Sequence, residues 1–221
     1  MKPEDILDMV LNYSEYEKGG KYSASDILSE PLRVKLKKKY PNLDDVKPID
    51  KVASVIGTGF HEMAEKAMEA ENAFNDTGIR TEVKLKFNNI SGTADLIFPD
   101  GTIGDYKTSK EATLKKTISN PIKWQEQLSI YALLNHKENG VKYGTKGYIF
   151  WVAVDTRKTG MLEVELLPKS ETISLIKEFL TEMDIPIEET KKCKDCSWLY
   201  KWCSSRSVCS YYNNDDTVID W

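Results

Sequence analysis

The chain has 221 residues and a net charge of −4, and its composition is 40% hydrophobic and 30% charged. These values are typical of a soluble globular protein with one large or two small domains. The longest apolar run, Tyr148 to Val154, is too short to span a bilayer, and the acidic residues among the first ten argue against a signal peptide. We therefore expect a cytoplasmic protein that does not bind membranes.

The predicted elements begin with a helical N-terminal region, residues 1–52. Apolar spacing predicts a first helix that ends near residue 20 at a Gly-Gly pair. Ser23 or Ser25 is placed to cap a second helix, which Pro31 interrupts.

The middle of the chain, residues 53–187, alternates helices with strands. In chain order the prediction is a helix from Thr58 to about Asn72, strands at 80–87, 91–98 and 102–107, a helix from Pro121 to about Lys137, strands at 146–154 and 161–167, and a helix at 169–183. This order predicts an α/β fold in which helices flank a mixed central β-sheet. A cysteine-bearing tail, residues 188–221, follows.

Two of these strands form an acidic hairpin. Pro99-Asp100-Gly101 is a turn signal, and a three-residue loop there would pair Phe98 with Thr102. Counting back along the strands then places Asp95 opposite Asp105. Because like charges directly opposite on a sheet destabilise it, we predict a cation between the two carboxylates.

A lysine accompanies the second acid. Side chains alternate along a strand, so Lys107 shares a face with Asp105, and Tyr106 points the other way. Carboxylate oxygens suit hard divalent cations, and a nearby lysine suits attack on a phosphodiester. A surface salt bridge between Asp105 and Lys107 is the alternative.

Other polar residues lie close to the hairpin in sequence. His61 is near the start of the preceding predicted helix, and Gln127 and Tyr131 are four residues apart on one face of the following helix. Each could instead be a structural residue. Glu82, on the strand before the hairpin, is either an additional acid or an exposed side chain.

Four short motifs occur in order over about residues 53–135. They are Gly57-x-x-x-His61, Gly92-x-x-Asp95, Asp105-x-Lys107 and Gln127-x-x-x-Tyr131. This order resembles the RecB-like branch of the PD-(D/E)XK nucleases, which includes recombination nuclease domains, CRISPR-adaptation nucleases and phage exonucleases. Two departures, Ala94 in place of proline and Asp105 in place of glutamate, occur in that branch.

The resemblance implies a restriction-endonuclease-like core and a set of site residues. A divalent metal would be bound by His61, Asp95, Asp105 and the backbone carbonyl of Tyr106. Lys107 would be the catalytic lysine, and Gln127 and Tyr131 would contact DNA or steady the catalytic centre. The imidazole ligand shifts the metal preference from Mg²⁺ somewhat toward Mn²⁺.

The function implied is a metal-dependent DNA nuclease, an exonuclease acting at single-stranded or duplex ends in recombination, repair or phage DNA metabolism in a bacterial cell. No Gly-x-x-x-x-Gly-Lys-Ser/Thr loop is present, so any unwinding needs a helicase or recombination partner. The main alternative is a non-catalytic nucleic-acid-binding or adaptor protein that retains the nuclease fold. A third hypothesis is a small metal-binding interaction protein. Nothing in the sequence indicates an oligomeric state.

All four cysteines lie in the tail, at Cys193, Cys196, Cys203 and Cys209. Four thiolates suit a [4Fe–4S] cluster or Zn²⁺, and unmetallated cysteines are the remaining alternative. Iron–sulfur members of the resembled branch usually place one cysteine before the nuclease core. Residues 1–192 contain none, so any site here would close within the tail.

Overall fold

The computed structural model describes residues 20–194 and 203–213, except for the side chains of residues 48, 49, 212 and 213. The described residues fall into two compact units. Residues 20–28 and 53–175 form the sheet unit, and residues 29–52, 176–194 and 203–213 form the tail unit. The helix predicted before residue 20 lies outside the described residues. No helix among those described is long and apolar enough to cross a membrane.

The elements alternate as follows. The strands are β1 (Tyr22–Ser23), β2 (Arg80–Phe87), β3 (Ile90–Ile97), β4 (Ile103–Ser109), β5 (Lys146–Ala153) and β6 (Thr159–Glu165). The helices are α1 (Ala24–Ile27), α2 (Pro31–Lys39), α3 (Val52–Asn75), α4 (Glu111–Ser119), α5 (Ile122–Asn139), α6 (Lys169–Asp184) and α7 (Ser210–Asn213), with 3₁₀ turns at Pro48–Lys51, Ile187–Glu189 and Arg206–Val208.

The six described strands form one mixed sheet. Its order is β1-β3-β4-β5-β6, and β2 also pairs with β3. The β1–β3 and β4–β5 pairs are parallel, and the β2–β3, β3–β4 and β5–β6 pairs are antiparallel. The predicted mixed sheet with flanking helices is therefore confirmed.

The core of the sheet unit lies between α5 and the sheet. Leu128 and Ile130 of α5 are fully buried, as are Ile97, Ile103 and Ile149 of the central strands. Nearly every residue of β3 is buried, whereas β6 alternates between exposed and less exposed positions, as expected of an edge strand. Asp95, Asp105 and Lys107 therefore stand on central strands of the sheet.

Three local features differ from the prediction. The sequence predicts no strand before residue 80, whereas β1, only two residues long, pairs in parallel with β3. Helix α4 buries only Leu114, so it carries little apolar periodicity. Helix α3 begins at Val52 rather than at Thr58 and contains Gly57 within its first turns.

Several predicted boundaries agree closely with the structure. The Ser23 side chain caps α1, and Pro31 occupies the first turn of α2. Pro121 immediately precedes α5. The helix predicted to end near Lys137 continues to Asn139, and Gly140 ends it in the left-handed conformation, with φ of 69°, which glycine adopts without strain.

In the tail unit a small apolar cluster holds α2 against the cysteine-bearing segment. Leu32, Leu36 and Cys209 are buried in it, and Cys193 and Tyr211 pack against it. Lys35 is also buried, and its Nζ donates to the Ile185 carbonyl at 2.5 Å and to Thr190 Oγ1 at 2.6 Å.

Candidate active site

The acidic hairpin has the predicted loop. The Phe98 N–H donates to the Thr102 carbonyl at 2.9 Å, and the Gly101 N–H donates to the Phe98 carbonyl at 2.8 Å. Gly101 has a φ of 87°, which is why the loop ends in glycine. The three-residue loop is thus confirmed, and its register continues through the Leu96–Gly104 pair.

Continuing this register by one residue sets Asp95 opposite Asp105. Here the Asp95 side chain, rather than its backbone, accepts a hydrogen bond from β4. Asp95 Oδ2 accepts the Tyr106 N–H at 2.7 Å. Both carboxylates are withdrawn from solvent, with Asp95 8% and Asp105 2% exposed. Two opposed acids in a buried position need compensating charge.

Asp105 is held by two side chains. Lys107 Nζ lies 2.6 Å from Asp105 Oδ2, and Gln127 Nε2 donates to Asp105 Oδ1 at 3.2 Å. Burial raises the pKa of the Asp105 carboxyl, and Lys107 opposes that rise. The same Gln127 amide donates to the Tyr131 hydroxyl at 3.2 Å, which links the two residues of the fourth motif.

The opposite face of β4 carries Tyr106, as the strand alternation predicts. Its ring packs edge-on against Phe60 and His61 of α3, with centroids 5.7 and 5.8 Å apart. Asp105 contacts α5 on one side of the strand, and Tyr106 contacts α3 on the other.

The glycines of the first two motifs allow close approach. A Cβ on Gly57 would lie 3.2 Å from Thr108 Oγ1 of β4, and a Cβ on Gly92 would lie 2.7 Å from Tyr131 Cε1. Gly57 therefore lets α3 approach β4, and Gly92 makes room for the Tyr131 ring.

His61 reaches the acids from α3. Its Nδ1 lies 3.4 Å from Asp95 Oδ2. The hydrogen bond to Asp95 is the main reason why the pKa of His61 is raised, and partial burial opposes the rise. Metal binding requires the neutral imidazole, so a cation would compete with this proton.

Glu82 belongs to the same group, although the sequence left its role open. Burial, followed by the charge of Asp95, raises the pKa of the Glu82 carboxyl to about 7. Ligand atoms of His61, Glu82 and Asp95 all lie within 4.8 Å of one another. The register of the Asn88-Asn89 hairpin, which sets Glu82 opposite Asp95, is the signal that could have identified it.

These residues line a cavity of about 500 Å³ between α3 and the sheet. The lining includes His61, Glu82, Asp95, Tyr106 and Lys107. Imidazole and carboxylate donors at this spacing fit a divalent cation. Asp105 is outside the compact three-residue set, because its oxygens contact Lys107 and Gln127.

The described cysteines, Cys193, Cys203 and Cys209, belong to the tail unit. Cys209 is buried, Cys193 and Cys203 are partly buried, and Cys196 lies outside the described residues. Cys193 and Cys209 contact the same apolar cluster. The ligand roles predicted for the four cysteines stay predictions, as do the roles of the hairpin residues.

The mixed sheet carries two opposed acids and a lysine on adjoining strands, as the motif resemblance predicts. The family model of the PD-(D/E)XK nuclease superfamily matches residues 20–210. The chain therefore belongs to this superfamily, which confirms the family predicted from its motifs.

Comparison with solved structures gives more distant likenesses. The crystal structure of SSO0001 has a TM-score of 0.61 with this chain at 21% identity, covering 96% of this chain and 97% of that one. The alkaline exonuclease LHK-Exo from Laribacter hongkongensis has a TM-score of 0.49 at 13% identity, covering 76% and 90%. A phage-related exonuclease from Haemophilus somnus 129PT has a TM-score of 0.40 at 15% identity, covering 72% and 87%. Among curated proteins none matches significantly.

Proposed function

We propose that the protein is a divalent-metal-dependent DNA nuclease that hydrolyses phosphodiester bonds. The observation that carries the proposal is the convergence of the first three motifs on one cavity. His61 contacts Asp95, Asp95 accepts the Tyr106 N–H, and Lys107 lines the same space. A surface salt bridge would not need this surrounding set of buried acids.

In this proposal His61, Asp95, Asp105 and the Tyr106 carbonyl would hold the cation. A bound divalent cation would lower the pKa of a coordinated water and neutralise phosphate charge. The imidazole among the donors favours Mn²⁺ over Mg²⁺ relative to an all-oxygen site.

Lys107 and Gln127 then have distinct tasks. The Lys107 ammonium, 25% exposed, is close enough to the cavity to offset charge that develops on a phosphate oxygen. Gln127 holds Asp105 and is itself held by Tyr131, so both side chains keep the carboxylate oriented. Tyr131 is mostly buried, which suits a positioning role better than a direct contact with DNA.

We also propose that the enzyme is an exonuclease, on the motif resemblance alone. Any dependence on a helicase or recombination partner rests on the same resemblance and on the missing phosphate-binding loop. An exonuclease should degrade linear DNA and leave covalently closed circles of the same sequence intact.

The test is degradation of end-labelled linear and circular DNA, single- and double-stranded, with Mn²⁺, Mg²⁺ or EDTA. Wild type should cleave with Mn²⁺, be slower with Mg²⁺ and be inactive with EDTA. Lys107→Ala should lose cleavage, and the exposed control Lys142→Ala should retain it. Equal cleavage by Lys107→Ala would contradict the assignment, and no cleavage by folded wild type would favour the adaptor hypothesis.

For the tail we propose a structural metal site formed by the four cysteines, either [4Fe–4S] or Zn²⁺. It is supported by the placement of Cys193 and Cys209 on one apolar cluster. Metal analysis and visible absorption of anaerobically purified protein would separate iron–sulfur, zinc and unmetallated forms. Protein without bound metal after such preparation would refute the site.

A further inference from the structure

We propose that Glu82 is an additional ligand of the active-site cation, a role that none of the four motifs assigns to it. The inference rests on the proposed function insofar as that function requires a cation in this cavity. It concerns which side chains hold the cation, so it can fail while the nuclease assignment stands.

Glu82 lies beside the acidic hairpin in the sheet. Strands β2 and β3 keep one register from Arg80–Ile97 to Phe87–Ile90, and within it Glu82 faces Asp95. The strands are paired on both sides of this position, at Thr81–Leu96 and Val83–Ala94, but Glu82 and Asp95 themselves are not paired through their backbones. Asp95 therefore has a carboxylate opposite it on β2, from Glu82, and another on β4, from Asp105.

The backbone of Glu82 adopts an unusual conformation. Glu82 has a φ of 44°, a left-handed value that non-glycine residues rarely adopt within a strand. Such a conformation costs of the order of 1–3 kcal/mol and persists where the surroundings impose it. Glu82, the residue of β2 with this conformation, is also the one whose carboxylate lies with His61 and Asp95.

The ligand atoms of Glu82 lie close to those of two other possible metal ligands. One ligand atom from each of His61, Glu82 and Asp95 can be chosen so that all lie within 4.8 Å of one another. Two donors about 2.0–2.1 Å from a shared Mg²⁺ ion are at most about 4.2 Å apart, which is within this limit. The set combines an imidazole with two carboxylates from three different elements, α3, β2 and β3, so it is not a run of neighbouring surface acids.

The cavity beside Glu82 carries an excess of negative charge. Among the described residues, Glu62, Glu65, Glu82 and Asp95 line the cavity, against the single lysine Lys107. DNA phosphates would be repelled by this excess of carboxylates unless cations neutralise it. Glu82 is the glutamate of the lining that belongs to the compact donor set.

The test measures Mn²⁺ binding to the full-length protein at fixed pH, by the loss of the free-Mn²⁺ electron paramagnetic resonance signal. Glu82→Gln should weaken Mn²⁺ affinity by about tenfold or more, the lower end of losses seen even for indirect metal contacts. Glu65→Gln is the matched control, since it removes the same charge from the same cavity outside the donor set. It should change affinity by less than about threefold.

The outcomes separate the two proposals. If Glu82→Gln and Glu65→Gln bind Mn²⁺ equally well, the role of Glu82 is overturned, whatever the DNA assay shows. If wild type binds no Mn²⁺, the role is also overturned. If Glu82→Gln alone loses Mn²⁺ affinity but wild type cleaves no DNA, Glu82 stands as a ligand and the nuclease function fails.

Discussion

Replacing Gly92 by alanine tests how Tyr131 and Gln127 hold the Asp105 carboxylate in place. The added Cβ would lie 2.7 Å from Tyr131 Cε1, 3.2 Å from Tyr131 Cδ1 and 3.3 Å from the Ala24 Cβ. Carbon atoms pack best at about 3.5–4.0 Å, so the Tyr131 ring has to move by roughly 1 Å. Tyr131 is 7% exposed, which leaves the ring little free space.

The expected cost has two parts. Overpacking of this kind destabilises by about 1–3 kcal/mol. The shift also disturbs the bond from Gln127 to the Tyr131 hydroxyl, and Gln127 holds Asp105. Because a displacement of about 1 Å can reduce a rate by about 100-fold, we expect Gly92→Ala to lose activity well beyond its loss of stability.

The assay compares urea unfolding with Mn²⁺-dependent cleavage of linear DNA. Gly59→Ala is the control, because a Cβ on Gly59 meets no atom within 4 Å and alanine favours the helix by about 0.5–1 kcal/mol. A second-site change, Tyr131→Leu, should restore part of the stability of Gly92→Ala but not its cleavage rate. Wild-type stability and cleavage in Gly92→Ala would refute this account of Gly92.

Two further predictions concern the same site, and a third concerns the buried lysine of the tail unit. Gln127→Ala should lower the cleavage rate by about tenfold or more while changing the unfolding free energy by only about 1–2 kcal/mol, because it removes the hydrogen bonds to Asp105 and to the Tyr131 hydroxyl; equal rates would contradict its positioning role. In the metal-free protein, Glu82 has a folded pKa of about 7 against 4.5 in the unfolded chain, so its charge costs stability increasingly as pH rises from about 4.5 to 7. Glu82→Gln should therefore match wild type in urea unfolding at pH 4 and be about 1–3 kcal/mol more stable at pH 8, allowing for partial exposure, and a constant difference across this range would contradict it. Lys35→Ala should destabilise the protein by about 2 kcal/mol, because the Ile185 carbonyl and Thr190 hydroxyl lose a buried charged donor, and unchanged unfolding would show that water replaces it.

The acidic hairpin could be predicted in detail because its information is local. The Pro-Asp-Gly loop fixes the strand register, and the register alone brings Asp95 opposite Asp105. The spacing of Gln127 and Tyr131 likewise predicts their contact, since residues four apart are neighbours on a helix.

Features that depend on long-range packing were harder to predict. Two glycines lower the helix propensity near Thr58. The close approach of Gly57 to Thr108, which a larger residue would hinder, joins parts of the chain that are distant in sequence. Strand β1 is stabilised by pairing with β3 rather than by its own two residues. No sequence pattern predicts the left-handed backbone at Glu82, although the register of the hairpin places Glu82 opposite Asp95.

The most direct test of the central claim is the rate of phosphodiester cleavage in Mn²⁺ by wild type and by Asp105→Asn. Asparagine preserves the shape of the side chain and removes a buried charge, so the variant is expected to fold. The account predicts Mn²⁺-dependent cleavage by wild type and a loss of about 100-fold or more in Asp105→Asn, because catalysis by a bound metal depends on this carboxylate. Cleavage at the wild-type rate by Asp105→Asn would contradict a catalytic site in this hairpin.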